Sequence, residues 1–549
     1  MLLGIDVGGT FTDAVILQDK KIIAKAKKHT THEDIAKGLL AALDAVVTQC
    51  PTTGNIKRVA ISNTLITNAV TAGKLPETAV CVIPGPGYNC EQAFPVTPVI
   101  LNGYTDHRGK LVAQADIEEE LSKIKTSSPV ALSAKFSVRN PKSELALAAK
   151  LALHGNTTIV TGHSMSGQLG FIRRTNSAYY TAATAGLFKA FLETVKAGLK
   201  KHSINAPLYI LKADGGTMPA QWAQEHTVEA FFTGPAASVM GIKALLNPGK
   251  KCVSLDIGGT TTDIAFWENT LPLYAKRGAK INGYPTSVRA IHLRSIGIGG
   301  DSVVRRDNAD ITIGPERLGP AMALGGSNPT LTDAFLTLGY DNFGDKTKAE
   351  QAMSLLSKTN ETVFETAQKI LAKACTRIIK EIQDMIEEYA LQPVYRVEDV
   401  VNEKKFMPEL IIGVGGATPG IVPKLAELAS LPYEIPPDAF VANAVGAAVA
   451  KPTIMADLRA DTALGECILP QSGQHSKIDR NFSTADAKKL LSGWLEKEAQ
   501  RLAVDFSGTQ IVWLEEFPVI RDSYRSGNII NLSMQLEPGV LFSVKGDAE

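Results

Sequence analysis

An octapeptide that occurs twice limits what this chain can fold into. Residues 6–13 read DVGGTFTD and residues 256–263 read DIGGTTTD, with six of eight positions identical and an offset of 250 residues. Both copies have apolar flanks: Leu2, Leu3 and Ile5 precede the first, and Val253 and Leu255 the second. Ala14, Val15 and Ile16 follow the first, and Ile264, Ala265 and Phe266 the second. The pattern is strand, glycine turn, strand, which predicts a β-hairpin whose turn carries Asp, Gly-Gly and Thr. Solenoid repeats recur every ~20–50 residues. The much longer offset here implies two similar domains, each opening with the same hairpin.

The 549 residues also exceed the length, ~250–300 residues, at which a single core stops growing. Residues 1–72 and 171–247 are expected to form a first lobe and 248–455 a second. Residues 73–170 read as an inserted α/β segment and 456–549 as a small C-terminal domain. In the first lobe PLYIL (207–211) predicts a strand and GPAASVMGIKALL (234–246) a helix. In the second, ELIIGVGG (409–416) is a strand running into a glycine turn, and PKLAELAS (423–430) and FVANAVGAAVA (440–450) are helices. Residues 362–390 place apolar positions at helical spacing with no Pro or Gly, predicting one long amphipathic helix. TAVCVI (78–83) and TTIVTG (157–162) are strands of the insertion, with a helix over 142–153. IVWLEEF (511–517) and IINLSMQL (529–536) are strands of the C-terminal part.

Charge and cysteine usage narrow the function classes. Lys plus Arg total 57 and Asp plus Glu 56, so nothing asks for nucleic acid or an anionic membrane. MLLGIDVGGT has no basic leader and reaches a carboxylate at Asp6, unlike a signal peptide. No apolar run approaches the ~20 residues that span a bilayer. The six cysteines form no C-x-x-C pair, which predicts inert thiols, a reducing cytoplasm and no structural zinc.

The two turns carry the chemistry. Gly8, Gly9, Gly258 and Gly259 let backbone N–H groups approach a ligand closely, and consecutive N–H groups form an anion nest. Thr10, Thr12, Thr260 and Thr261 add hydroxyl donors. Asp6 and Asp256 would repel bare phosphate, so a cation must stand between. Mg²⁺ keeps most of its waters and is held by one or two carboxylates plus phosphate, which fits. Two hairpins, one per lobe, would then grip the β- and γ-phosphates of ATP. No G-x-x-x-x-G-K-[ST] is present; GYDNFGDKT from Gly339 has Asp where that motif needs Lys. GVGGATPG (413–420) lies between a strand and a helix of the second lobe, where the actin/hexokinase/Hsp70 class places its adenosine-binding turn. That position makes Gly415, Gly416 and Thr418 candidate contacts. The small-residue helices 234–241 and 443–450 match the two helices that cross at the interlobe hinge of that class. The expected fold is therefore α/β, a duplicated two-lobed ATPase of the ribonuclease H-like kind.

GIDVGGTFTDAV (4–15), SNTLITNAV (62–70), KADGGTM (212–218), TGPAASVMG (233–241), SLDIGGTTTDIA (254–265), IGIGGDSVV (296–304), NPTLTDAFLTLG (328–339) and IGVGGATPG (412–420) follow one another in order. The series resembles the A subunit of the hydantoinase/oxoprolinase family, which also includes subunits of acetone and acetophenone carboxylases. The resemblance implies ATP-dependent phosphorylation of a carbonyl oxygen, with Gly299 and Gly300 as further nucleotide contacts. Hydrolysis of a cyclic amide follows, or carboxylation of a ketone, usually with a B-type partner subunit. Ser62-Asn63-Thr64, Ala213-Asp214-Gly215-Gly216, Gly297-Ile298-Gly299-Gly300-Asp301-Ser302 and TDHRGK (105–110) depart from the usual family stretches. They leave the substrate open.

Asp6 and Asp256 are assigned to Mg²⁺ through water. Asp13, Asp263 and Asp214 are the candidate catalytic carboxylates, to orient water or take a proton. Each also has a plainer use, as a partner for a threonine hydroxyl or a turn backbone; Asp301 stands with Asp214. His107 in its loop, and His29 with His32, are not assigned to metal. Three functions fit: an ATP-dependent cyclic-amide hydrolase or related carboxylase subunit, a small-molecule kinase, or an ATPase switch acting on a partner. A homo-oligomer is compatible with each.

Overall fold

The structure is a computed structural model that describes residues 1–30, 35–50, 52–307, 310–391, 406–506, 508–521 and 523–544. Leu2–Val7 and Phe11–Gln18 form the first hairpin, extended antiparallel by Lys21–His29. On the other side Arg58–Asn63 and then Leu208–Leu211 add in parallel. Cys252–Ile257 and Thr262–Glu268 form the second hairpin, with Leu271–Pro272 antiparallel beyond it. Leu410–Val414 and Tyr433–Glu434 continue that sheet in parallel. Both sheets thus run third, second, first, fourth, fifth strand, with the same directions. This is the expected duplicated, two-lobed α/β fold.

Leu3 and Ile5 in the first lobe, and Val253 and Leu255 in the second, are buried on the central strand of each sheet. Helices cover both. Phe171–Lys201 packs on the first lobe through Phe188, Leu192 and Val195. Val363–Ala390 packs on the second through Ile370, Leu371, Ala374 and Ile378, and a Thr362–Glu365 capping box starts it. Among the described residues no helix is long and apolar enough to cross a membrane. All six cysteines are buried free thiols.

The lobes join where helix Thr233–Leu245 crosses helix Ala442–Val449. Each carries Ala-x-x-x-Gly: Ala237 with Gly241, and Ala442 with Gly446. A Cβ on Gly446 would sit 2.5 Å from the Gly241 nitrogen and collide with the Ala237 carbonyl oxygen. A Cβ on Gly241 would sit 2.6 Å from the Ala442 carbonyl carbon. The helices touch backbone to backbone at this crossing, which only glycine permits.

Within the stretch expected as the second lobe, residues 274–291 depart from their own sheet and dock on the first lobe. Ala279, Ile281, Val288 and Ala290 enter its core. Tyr180 donates its hydroxyl to the Ile281 carbonyl at 3.0 Å, and the Ile291 amide reaches the Ala213 carbonyl at 3.0 Å. Burial of these four apolar side chains outweighs continuation of the short Leu271–Pro272 edge strand.

Residues 79–161 carry a separate parallel sheet, Val99–Ile100, Ala79–Ile83, Val130–Ala134 and Ile159–Thr161. Met455–Asp461 opens a five-stranded antiparallel sheet that packs on the first lobe beside Ala60 and Tyr209. On helix Lys142–His154, beside the parallel sheet, the buried Glu144 accepts hydrogen bonds from the Ala134 amide (2.6 Å), the His163 amide (2.9 Å) and the His163 ring (2.6 Å). Burial disfavours its charge, yet the His163 contacts win and hold its pKa below the ordinary value. A depressed carboxylate stabilises the fold above its unfolded pKa, and that contribution is lost as pH falls through the folded value. Glu144→Gln is therefore expected to cost about 1.5–3 kcal/mol of stability at neutral pH, read as a lowered melting temperature. It is also expected to flatten the loss of stability below about pH 4.5. Parallel melting curves of parent and variant from pH 7 to pH 3 check this.

Candidate functional site

The two hairpin turns meet. Gly8 donates to the Phe11 carbonyl and Gly258 to the Thr261 carbonyl, each at 3.0 Å, so the turns close identically. Their tips touch across the interlobe cleft, with Thr10 Oγ1 3.1 Å from Thr260 Oγ1. The cleft encloses about 2160 Å³, and both hairpins, the Gly415–Gly416 turn and the start of the 233–245 helix line it.

Register sets the charge. Asp6 lies directly opposite Asp13 on the first hairpin, and Asp256 opposite Asp263 on the second. Like charges at opposed positions destabilise a strand pair. On the first hairpin Lys27 sits opposite Asp13 on the third strand and bonds its Oδ2 at 2.8 Å. The same Nζ donates to the Phe440 carbonyl of the other lobe at 3.0 Å. Ser62 donates to Asp6. The second hairpin has no such cation; Asn443 Nδ2 donates to Asp256 Oδ2 at 3.0 Å. Asp13 Oδ1 and Asp263 Oδ1 are buried with no hydrogen-bond partner. Burial, reinforced by the neighbouring carboxylates, pushes Asp6 and Asp263 up to about 7. Burial likewise pushes Asp256 up to about 6, against the Asn443 hydrogen bond.

Four aspartates around one lysine fit a divalent cation. Among the described residues no three His, Cys, Asp or Glu side chains form a metal cage. An ion here would be held by carboxylates through water and completed by phosphate oxygens, the habit of Mg²⁺.

Asp6, Gly8, Gly9, Thr10 and Asp13 are brought together with Asp256, Gly258, Gly259, Thr260, Thr261 and Asp263 on one cleft wall. Gly415 and Gly416 join them from the second lobe. Gly415 has φ +97°, and a Cβ there would lie 2.6 Å from Asp256 Oδ1, so this turn packs directly on the second aspartate pair.

Five expected site residues do not line the cleft. Thr12 is fully buried and shares its hydroxyl with Thr30 at 3.0 Å. Thr418, also buried, donates its hydroxyl back to the Val414 carbonyl at the end of the preceding strand. Gly299 and Gly300 lie behind the second turn. Gly300 donates to the Gly258 carbonyl at 2.9 Å, and a Cβ on Gly299 would fall 2.6 Å from the Thr260 nitrogen. They brace that turn and do not face the cleft. Asp214 is 1% exposed; it accepts from the Gly216 amide (2.9 Å), Thr453 and Gln535, with Lys212 at 3.6 Å. Its carboxylate ties the first lobe to the C-terminal sheet and has no free face for proton transfer. Asp301 is likewise occupied, by Arg317 Nε at 3.0 Å. His32 lies outside the described residues.

Lys27, Ser62 and Asn443 join the site without having been singled out in the sequence. Lys27 carried a usable signal: it falls on the lysine-rich strand after the first hairpin, where the meander places it opposite Asp13.

Residues 174–456 match the hydantoinase/oxoprolinase family, and residues 2–154 match the hydantoinase/oxoprolinase N-terminal region. Caprolactamase subunit alpha of Pseudomonas jessenii is 24% identical over 378 residues, 62% of this chain and 54% of that one. The chain thus spans about half the length of that relative. Among solved structures, nucleotide-free acetone carboxylase superposes with TM-score 0.71 at 16% identity, covering 99% of this chain and 88% of its own. ATP-dependent caprolactamase from Pseudomonas jessenii superposes with TM-score 0.68 at 19% identity, covering 97% and 87%. The overall fold is thus shared with solved proteins, and with one family model matching more than half of the chain and a second matching its N-terminal region through most of the insertion, the chain belongs to the hydantoinase/oxoprolinase family.

Proposed function

We propose that this chain is the ATP-binding subunit of a cyclic-amide hydrolase. The observation that supports it is the contact of two matching glycine turns, each carrying an opposed aspartate pair, inside one interlobe cleft. The amides of Gly9 and Thr10 and of Gly259 and Thr260, at the turn tips, hold the β- and γ-phosphates, and Gly415–Gly416 backs the adenosine end. Asp6 and Asp256 hold Mg²⁺ through water; the ion, when bound, neutralises charge on the phosphates. Lys27 fixes Asp13 and spans both lobes, so it orients the first hairpin. Asp263, with one oxygen unpartnered, is the carboxylate placed to orient water.

An amide is a weak electrophile. Transfer of the γ-phosphoryl group to its carbonyl oxygen breaks the β–γ bridging bond, releases ADP and makes that oxygen a leaving group. Water then adds at the carbon, the ring C–N bond breaks with a proton going to the departing nitrogen, and the acyl phosphate left behind is hydrolysed by a second water to carboxylate and free phosphate. The protein supplies in-line placement and charge stabilisation. A B-type partner, a cytoplasmic setting and a substrate of hydantoin, oxoproline or lactam type go with this reading. Ketone carboxylation is the second reading, favoured by the TM-score of 0.71 to acetone carboxylase. The test is ATP turnover against a panel of cyclic amides and ketones, with and without bicarbonate and a co-expressed B-type subunit. Free phosphate released with a ring-opened product supports hydrolysis; a stable phosphorylated product would identify a kinase instead.

A further inference from the structure

The cleft is divided in charge. Apart from Glu388, its lining carboxylates are the four hairpin aspartates. The wall built by residues 274–291, where that excursion docks on the first lobe, contributes Lys276, Arg277, Lys280 and Arg289 instead. Most of these are exposed; Arg289 is not. Its Nε is buried without a hydrogen-bond partner. Its guanidinium carbon stands 4.1 Å from the centroid of Tyr274, and its one side-chain partner is the Tyr274 hydroxyl. Among the described residues no carboxylate pairs with it.

The stack is anchored from behind. Tyr274 donates to the Asp214 carbonyl at 3.3 Å, and the Asp214 side chain is saturated by Gly216, Thr453 and Gln535. Ala275 donates to the Ala290 carbonyl at 3.0 Å, which closes the excursion into a ladder that fixes both residues. A guanidinium held flat on an aromatic ring presents its donors in a fixed plane, the geometry that takes a carboxylate in two parallel bonds. Leu65, Leu169 and Trp513 line the same cleft and offer apolar surface to the remainder of such a ligand.

We infer that Arg289, stacked on Tyr274, is an anion subsite that selects a carbonyl substrate bearing a carboxylate over its neutral analogue. The inference rests on the proposal that the second ligand is a carbonyl compound, and it adds that the ligand is charged.

The experiment is calorimetric titration of the full chain, loaded with Mg²⁺ and a non-hydrolysable ATP analogue, with two matched pairs. Pyroglutamate is compared with pyrrolidinone, and levulinate with butanone. The carboxylated member of one pair is expected to bind at least tenfold tighter than its neutral partner. Arg289→Gln is expected to erase that preference while changing affinity for the ATP analogue less than twofold. Arg289→Lys keeps the charge but loses the fork, so it should retain part of the preference. Melting curves confirm that both variants are folded, and the lysine variant carries the test if the glutamine variant is not. If only levulinate shows Arg289-dependent binding, the subsite stands and the cyclic-amide reading falls. Equal binding of charged and neutral members, or no binding of either acid, would overturn the subsite. So would a loss confined to nucleotide affinity, which would assign Arg289 to the triphosphate.

Discussion

Asp256→Ala is expected to lower ATP turnover by about 10²–10³-fold, the scale on which one aligned charge-stabilising group acts in a transition state. The variant should melt no lower than the parent. Asp256 faces Asp263 across the second hairpin with no lysine between them, so its charge burdens the empty fold. Removing it relieves like-charge repulsion while Asn443 loses one acceptor. Activity and stability should thus move in opposite directions. Phosphate release and melting temperature, measured on the same preparation, decide it. Turnover equal to the parent would remove Asp256 from the site, and a large drop in melting temperature would make it structural.

Gly446→Ala should be strongly destabilising for a single added methyl. Its Cβ meets main-chain atoms of Ala237 and Gly241, which no rotamer change can relieve, so the two helices must move apart. Added volume in packed interiors costs roughly 1–3 kcal/mol, and contact with backbone puts this site at the upper end. A larger residue such as Leu would force the same separation further, so a purely functional defect is not expected from it. The alanine variant is the informative one. It should melt several degrees lower and lose protection from protease on adding MgATP. Normal protection at a lowered melting temperature would show that the crossing is core and does not hinge.

Features that repeat or keep a period were legible in the sequence. The hairpins announced themselves through the 250-residue offset, and the 363–390 helix through spacing and its capping residues. The crossing helices showed as runs of small residues, because close approach leaves no alternative. What escaped depends on register and on long-range contact. Lys27 is visible only once the third strand is laid against the second. Asn443 lies on a helix whose face is set by the opposite lobe. Gly299 and Gly300 look like a ligand loop, yet glycine serves equally where one backbone lies against another, as theirs does against Gly258–Thr260. Thr418 looks like a phosphate donor, but a threonine in a first helical turn can bond its own preceding carbonyl, and this one does. Residues 274–291 gave no sign that they would leave their own lobe, since that choice depends on a surface formed by Phe171–Lys201 far away in sequence.

The helix crossing has the form of a homodimer interface. Gly241 meets Ala442, Gly446 meets Ala237, and Thr10 meets its own counterpart, Thr260, as contacts do across a two-fold axis. Two identical half-chains arranged about that axis would build a symmetric chamber, with the same ligand surface at either end. Fusion into one polypeptide frees the halves to differ. One half sends 274–291 across the axis, and its counterpart, which runs from strand Lys21–His29 straight into helix Ile35–Thr48 by way of residues 30–34, is too short to do so. A symmetric pair offers the same surface at both ends of its chamber; the fused chain presents two different ones, as the proposed transfer between two unlike molecules requires.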